Sequence, residues 1–380
     1  MKHIFSKIRQ VKRIDFGILI SVIVLGMCGT LSIYNVRGSE LAKRQLLFII
    51  VSLILLCVIL CIDYVKLKPF IPLIYYANIG LLLFTKIFTE KVNGANAWIS
   101  LGSFKIQPAE FMKISLILML AKILEENQER INEKKFLFKL ILYIIIPLLV
   151  IVIQPDMGMT LVCFIMCIGI LFISGLNIRF FLLSLLFSIF SILIVWDTGI
   201  LPGHWKTRII SFLNPSSDVL GNGLQVVQSK IGVGTGGIFG KNIGFSSSAS
   251  SYVSEFVPES QNDFIFSIIG EYWGFVGSVL LLVLFSIIIL RMIKVARYSR
   301  DVFGELFCVG MVFYMLYAVF QNIGMTIGLL PVTGINLPFV SYGGSSILSN
   351  MIGIAMVLNI NMRRHPIIFN DWFCYINLPL

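Results

Sequence analysis

Seven charged side chains lie at or beside long apolar runs. They are Glu110 and Lys113 in "QPAEFMK", Asp156 in "IQPDMGM", Arg208 in "HWKTRIIS", Glu259 and Asp263 in "VPESQNDF", and Glu271 in "GEYWGF". Ionisable groups at membrane depth are costly and mark functional sites by default. A carboxylate can take the proton of a hydroxyl nucleophile, and a cation can stabilise charge developing on a departing phosphate. Carboxylates and cations at one depth therefore suit an enzyme acting on a lipid-linked, phosphate-bearing substrate. An ion or proton transporter would use the same residue types, nearer the bilayer centre. Composition and spacing leave these two classes nearly tied.

Each residue also has a plainer role. Glu110 and Lys113, three apart, share a helix face and can form a structural ion pair. Asp156 follows Pro155, which cannot continue a helix, so it suits the N-cap of the next one. Asp263 has the same alternative, with Asn262 as a competing cap. Glu259 reads equally well as a solvated loop acid. His3, His204 and His365 fall in separate loops, and the seven cysteines show no metal-type spacing, so packing is their plain reading.

These residues are held by a chain built for lipid. Hydrophobic residues make up 57% of the 380 and charged residues 13%, with a mean hydropathy of +0.93. A soluble domain needs a far more charged surface. About ten apolar runs can cross roughly 30 Å of hydrocarbon. They fall at Gly17–Tyr34, Leu46–Ile62, Phe70–Phe88, Phe111–Leu124, Leu137–Ile153, Met157–Ser174, Phe180–Trp196, Phe264–Leu290, Phe303–Ile327 and Ser345–Ile360. The predicted fold is an all-α, polytopic integral membrane protein forming one domain over residues 1–380. The basic opening "MKHIFSKIRQVKR" lacks a small-residue cleavage site and reads as the flank of a retained span. With both termini in the cytoplasm, most of the 30 Lys+Arg fall inside. The net charge of +11 thus reflects topology and contact with anionic lipid, not nucleic acid.

An external loop, residues 197–262, joins the seventh and eighth spans. Leu224, Val227 and Ile231 recur in it at helical spacing and predict a short helix at the membrane surface. "SSSASSYVS" reads as a flexible joint. "GVGTGG" matches a dinucleotide fingerprint letter for letter but lacks the required strand–turn–helix setting. Its glycines suit close backbone approach or sharp turns instead. The aromatics of the cytoplasmic tail, residues 361–380, suit the inner membrane surface.

Five stretches occur in order: "NGANAWISLGSFKIQPAEFMK", "IQPDMGMTLV", "RIISFLNPSSDVLGNGLQVVQSKIGVGTGGIFG", "VPESQNDFIFSIIGEYWGFVGS" and "NIGMTIGLLPVTGINLPFVSYGGSS". Together they resemble the SEDS family of bacterial cell-wall polymerases, from Asp15 to about Arg364. "NIGMTIGLLPVTGI", "IDY" and "QSKIGVGTGG" are most similar to the RodA (elongation) branch, rather than the FtsW (division) or SpoVE (sporulation) branches. The resemblance implies a peptidoglycan glycosyltransferase polymerising lipid II at the outer face of the cytoplasmic membrane and releasing undecaprenyl pyrophosphate. It also implies a class B penicillin-binding protein as partner. By the family pattern Asp263 matches the essential aspartate, Glu110 and Lys113 the paired residues of the fourth span, and Asp156 the "QPD" aspartate. Gln261-Asn262 replaces the His-Thr that RodA-like sequences usually carry before the aspartate.

An α-linked donor yielding a β-1,4 bond implies inversion by a single displacement, with Asp263 as base. Arg208 and Lys113 are the cations expected at the leaving pyrophosphate, and a divalent cation (Mg or Mn) is admitted without a dedicated motif. Two other readings stay open at this point: a lipid II flippase, and a scaffold that only recruits its partner.

Overall fold

The computed structural model describes residues 13–89, 96–102, 104–177, 179, 182, 203–214, 221–241 and 252–364. The basic opening up to Lys12, the expected span Phe180–Trp196, most of "SSSASSYVS" and the tail from His365 lie outside the described residues.

Membrane-scale helices follow the apolar runs: α1 (Phe16–Arg37), α2 (Ser39–Cys61), α3 (Ile71–Phe88), α4 (Pro108–Glu126), α5 (Lys134–Ile153) and α6 (Met157–Ile173). The loop between seventh and eighth expected spans contributes α7 (Gly203–Leu213), α8 (Asn222–Thr235) and the short α9 (Tyr252–Phe256). Then come α10 (Ile265–Arg297), α11 (Val302–Thr326) and α12 (Gly344–Met362). Among the described residues, seven helical segments are long and apolar enough to span, counting Tyr64–Phe88 as one. α6 is shorter, and α4 carries more charge than such a span tolerates. One antiparallel hairpin, β1 (Ile99–Leu101) with β2 (Phe104–Ile106), precedes α4. The apolar pattern alone did not indicate it.

Burial separates an inner bundle from an outer ring. α12 is 89% buried and α11 67%, against 22% for α2. The outer helices present exposed Leu, Ile, Val and Phe, the surface expected to meet acyl chains. α4 sits within the bundle, where its charges are shielded.

Helix ends gather on two opposite faces, as the charge pattern requires. On the predicted cytoplasmic face Lys68 Nζ lies 2.7 Å from Glu125 Oε2 and 2.9 Å from Asp301 Oδ2, joining three elements. Asn359 Nδ2 donates to the carbonyls of Ile59 and Ile62 there. On the opposite face Gln154 Nε2 donates to Leu82 O at 2.7 Å.

α10 is broken at Gly274, whose backbone is non-helical (φ 66°, ψ −157°). The break frees N–H groups, and the loop after α8 takes them: Phe275 N donates to Gly237 O and Val276 N to Ile238 O. A Cβ on Gly236 would stand 1.9 Å from Gly270 O, so only glycine admits this approach. The "GVGTGG" stretch is therefore a packing device, as its glycines suggested. α8 exists as expected, but Ser229, Gly232 and Gly236 face the protein, while Val227 and Ile231 stay exposed.

Candidate active site

Asp263 occupies the turn between the loop and α10. Asn322 Nδ2, from α11, donates to Asp263 O at 2.8 Å and to Ile335 O at 2.7 Å, clamping this turn to the segment before α12. Ser341 Oγ donates to Asn262 O at 2.6 Å, and Tyr342 N donates to Gln261 O at 2.9 Å. The "LPFVSYGGSS" run thus turns into the last helix and also braces the aspartate's backbone. Asn322 and Ser341 went unnoticed as positioning residues, because nothing in their local spacing shows which carbonyls they reach.

The residue before α10, Phe264, makes no side-chain cap, and Asp263 does not cap the helix either. Among the described residues no hydrogen-bond donor reaches its carboxylate. Its nearest approach of note is to Gly334, in the left-handed region at φ 76°, where an added Cβ would lie 3.3 Å from Asp263 Oδ2. Loss of water pushes the half-buried carboxyl up to about 6; Arg208 pulls it down, and the charges of Glu259 and Asp156 push it further up.

The other acids are occupied. Asp156 caps α6 by accepting from Met159 N at 3.0 Å, and it accepts from Gln107 Nε2 at 2.8 Å. Its carboxyl is also raised, first by burial, with Glu110 raising it and Arg208 lowering it. Its position as a cap was legible in "QPD". Glu110, 4% exposed, pairs with Lys113 at 2.5 Å and accepts from Ser349 Oγ. Lys113 also donates to Tyr314 Oη and Asn350 Oδ1, both at 2.9 Å. A cavity of about 30 Å³ beside this pair is lined by Glu110, Lys113, Asp156, Gly334 and Ser346.

Two of the expected site residues are engaged in other bonds. Lys113 is buried and its three donor positions have partners, so it is not placed to meet a leaving group directly. Glu271, 1% exposed, is not aimed at the Asp263 region: it accepts from Lys241 Nζ at 2.8 Å and from Val253 N at 3.0 Å. It holds the external loop to α10. Glu259 has a left-handed backbone (φ 55°) and accepts from Asn262 Nδ2 at 2.6 Å and Gln261 Nε2 at 3.2 Å. Gln261 in turn accepts from Arg37 Nε at 2.8 Å. The unusual Gln261-Asn262 pair therefore fixes Glu259 beside Asp263.

Arg208, on α7, donates to Thr333 O at 3.1 Å, next to Gly334. With Lys230 of α8 it lines a second cavity of about 30 Å³, closed by Gly328 and Leu330. Lys230 is a cation the sequence reading passed over, since α8 was read for its apolar stripe.

This is the architecture of a polytopic membrane protein with a polar, aspartate-bearing site at one face. The profile of the FtsW/RodA/SpoVE family, described as "Cell cycle protein", matches residues 8–365. Stage V sporulation protein E of Bacillus subtilis (strain 168) is 38% identical over 84% of this chain and 86% of its own. Peptidoglycan glycosyltransferase RodA of Treponema pallidum (strain Nichols) is 30% identical over 94% of this chain and 100% of its own. A chain of a solved peptidoglycan synthase complex, described as coordinating polymerization and crosslinking, superposes with TM-score 0.78 at 27% identity, covering 92% of this chain and 97% of that one. The chain belongs to the SEDS family of peptidoglycan glycosyltransferases, multi-pass enzymes of the bacterial cytoplasmic membrane.

Proposed function

We propose that this chain polymerises lipid II at the outer membrane face by an inverting single displacement, with Asp263 as the base. The observation that carries the assignment is the Asp263 carboxylate itself. Among the described acids of the region it is the one whose oxygens have no donor, and its pKa near 6 suits it to the task. At neutral pH such a group is mostly ionised yet more basic than an ordinary carboxylate, as a general base should be.

The acceptor's C4 hydroxyl attacks the donor's anomeric carbon while Asp263 takes its proton. The bond to pyrophosphate breaks, and undecaprenyl pyrophosphate leaves. Arg208 and Lys230 are assigned to that charge; in support, both line one small cavity between the external loop and the segment after α11. Glu110 and Lys113 act indirectly, by keeping α4 and α12 in register beneath the site. Among the described residues no group of three His, Cys, Asp or Glu could hold a metal. A divalent ion (Mg or Mn) would be held mainly by pyrophosphate oxygens and would supply countercharge to the leaving group, leaving Asp263 free for the proton.

A class B penicillin-binding protein is the proposed partner; the match to a chain of a synthase complex supports it. The motifs favour an elongation role, whereas the 38% identity to a sporulation protein favours a sporulation one. Complementation decides between them: restored rod shape in an elongation-deficient strain supports the first, restored sporulation the second.

The activity is tested with purified protein on labelled lipid II, with and without the partner. Polymer from wild type and none from folded Asp263→Asn supports the base. Polymer from both removes Asp263 from the chemistry. Lipid crossing a vesicle bilayer without polymer would make a flippase the better account.

A further inference from the structure

The opposite face carries a second charged site that polymerisation does not use. A cavity of about 450 Å³ opens between the start of α1 and the ends of α10 and α12. Arg13, Arg291, Lys294 and Arg364 line it, against a single acid, Asp15. Asp15 is already committed: it caps α1 through Gly17 N and Ile18 N, and pairs with Arg291 Nη1 at 2.7 Å. Among the described residues neither Lys294 nor Arg364 has a carboxylate partner. Residues 1–12 add Lys2, Lys7, Arg9 and Lys12 and no acid, and the tail from His365 adds only Asp371.

The site is shaped as well as charged. A Cβ on Gly17 would stand 2.3 Å from the guanidinium carbon of Arg291, so glycine lets that side chain lie flat on the first turn of α1. Arg13 Nη1 donates to Arg364 O at 2.8 Å, which ties the segment before α1 to the residues after α12 across the cavity. Asn361 Nδ2 donates to Arg13 O, also at 2.8 Å, which fixes the segment bearing the arginine. Guanidinium groups in fixed positions match phosphate oxygens, and basic cavities between spans at the cytoplasmic surface suit lipid headgroups.

We propose that this cavity binds the phosphate of an anionic phospholipid of the inner leaflet, seated between α1, α10 and α12. The ligand chemistry is a phosphate anion. The membrane is its source, because the cavity opens among the ends of α1, α10 and α12, three helices long and apolar enough to span.

The test uses the purified full-length protein in detergent, titrated with phosphatidylglycerol or phosphatidylcholine and read by native mass spectrometry. Phosphatidylglycerol should bind in preference. The double variant K294Q/R364Q should bind it about 30-fold more weakly, at roughly a fivefold loss per cation near the surface. K134Q/K139Q, an equal loss of charge at exposed positions on the same face, should change binding less than threefold. Inorganic phosphate at 100-fold excess over lipid should leave the lipid bound. Equal affinity for the two lipids, or equal losses in the two double variants, overturns the proposal. Displacement by inorganic phosphate would identify a soluble phosphate ligand and overturn the lipid assignment. Should K294Q/R364Q unfold early in phosphatidylcholine, a photoactivatable phosphatidylglycerol on the wild type decides. Labelling of the Arg13–Gly17 or Arg291–Val295 segments supports the site, and labelling elsewhere alone refutes it.

Discussion

Replacing Asp263 by alanine should remove polymerisation and leave the fold as stable or more so, whereas Asp156→Ala should weaken the fold. The two aspartates occupy similar places, each just before a helix, yet their surroundings differ. Asp263 has no donor to lose. Raising its carboxyl from the ordinary 3.8 to about 6 costs the ionised form about 3 kcal/mol at 1.36 kcal/mol per pH unit. Water at this half-buried side chain screens part of that, so alanine should gain about 1–3 kcal/mol at pH 7.5. The sign follows from linkage. A carboxyl raised in the folded state burdens it fully above about pH 6, and the burden disappears below the unfolded value of 3.8. At pH 4.5 the gain should therefore have fallen to about a third. Asp156 is also raised but differs in its bonds: its two hydrogen bonds serve a helix end and Gln107, and their loss should cost about 1–2 kcal/mol net of its own burial. Thermal unfolding of both variants and wild type at pH 7.5 and 4.5 measures all of this. If Asp263→Ala melts below wild type by as much as Asp156→Ala, Asp263 is a cap and its assignment as base fails.

Polymerisation by the wild type should rise with pH through about 6 as Asp263 ionises, read from initial rates on labelled lipid II. Lys113→Met should destabilise by about 3–5 kcal/mol because it strands Glu110 in the bundle, while Glu110→Gln with Lys113→Met should recover most of that; melting of the single and double variants checks both. Glu271→Ala removes the acceptor for Val253 N and the partner of Lys241, costing about 1–3 kcal/mol, and limited proteolysis should cut the external loop sooner. Asn322→Ala should lower the polymerisation rate far more than the melting temperature predicts, because it unclamps the Asp263 turn; equal losses would make Asn322 merely structural.

Much of this protein follows from its chain alone. Apolar runs near 20 residues must cross a bilayer as helices, since hydrocarbon offers no partner to an open backbone. Nearly every described membrane-scale helix falls on its expected run. The Glu110–Lys113 pair followed from spacing on one helix, and Asp156 as a cap followed from the proline before it. These are local properties, decided by neighbours three or four residues away. What the sequence left open was which acids are spent on structure. Glu271 and Asp263 look alike in one dimension, eight residues apart on the same stretch. Only the folded loop, inserted at the Gly274 break, engages Glu271 with Lys241 and Val253. Asn322 and Ser341, distant in sequence, hold the Asp263 turn by its backbone and leave its carboxylate unbonded. Hydrogen bonds between remote segments carry no periodic signature, so tertiary packing alone decided which carboxylate remained unbonded.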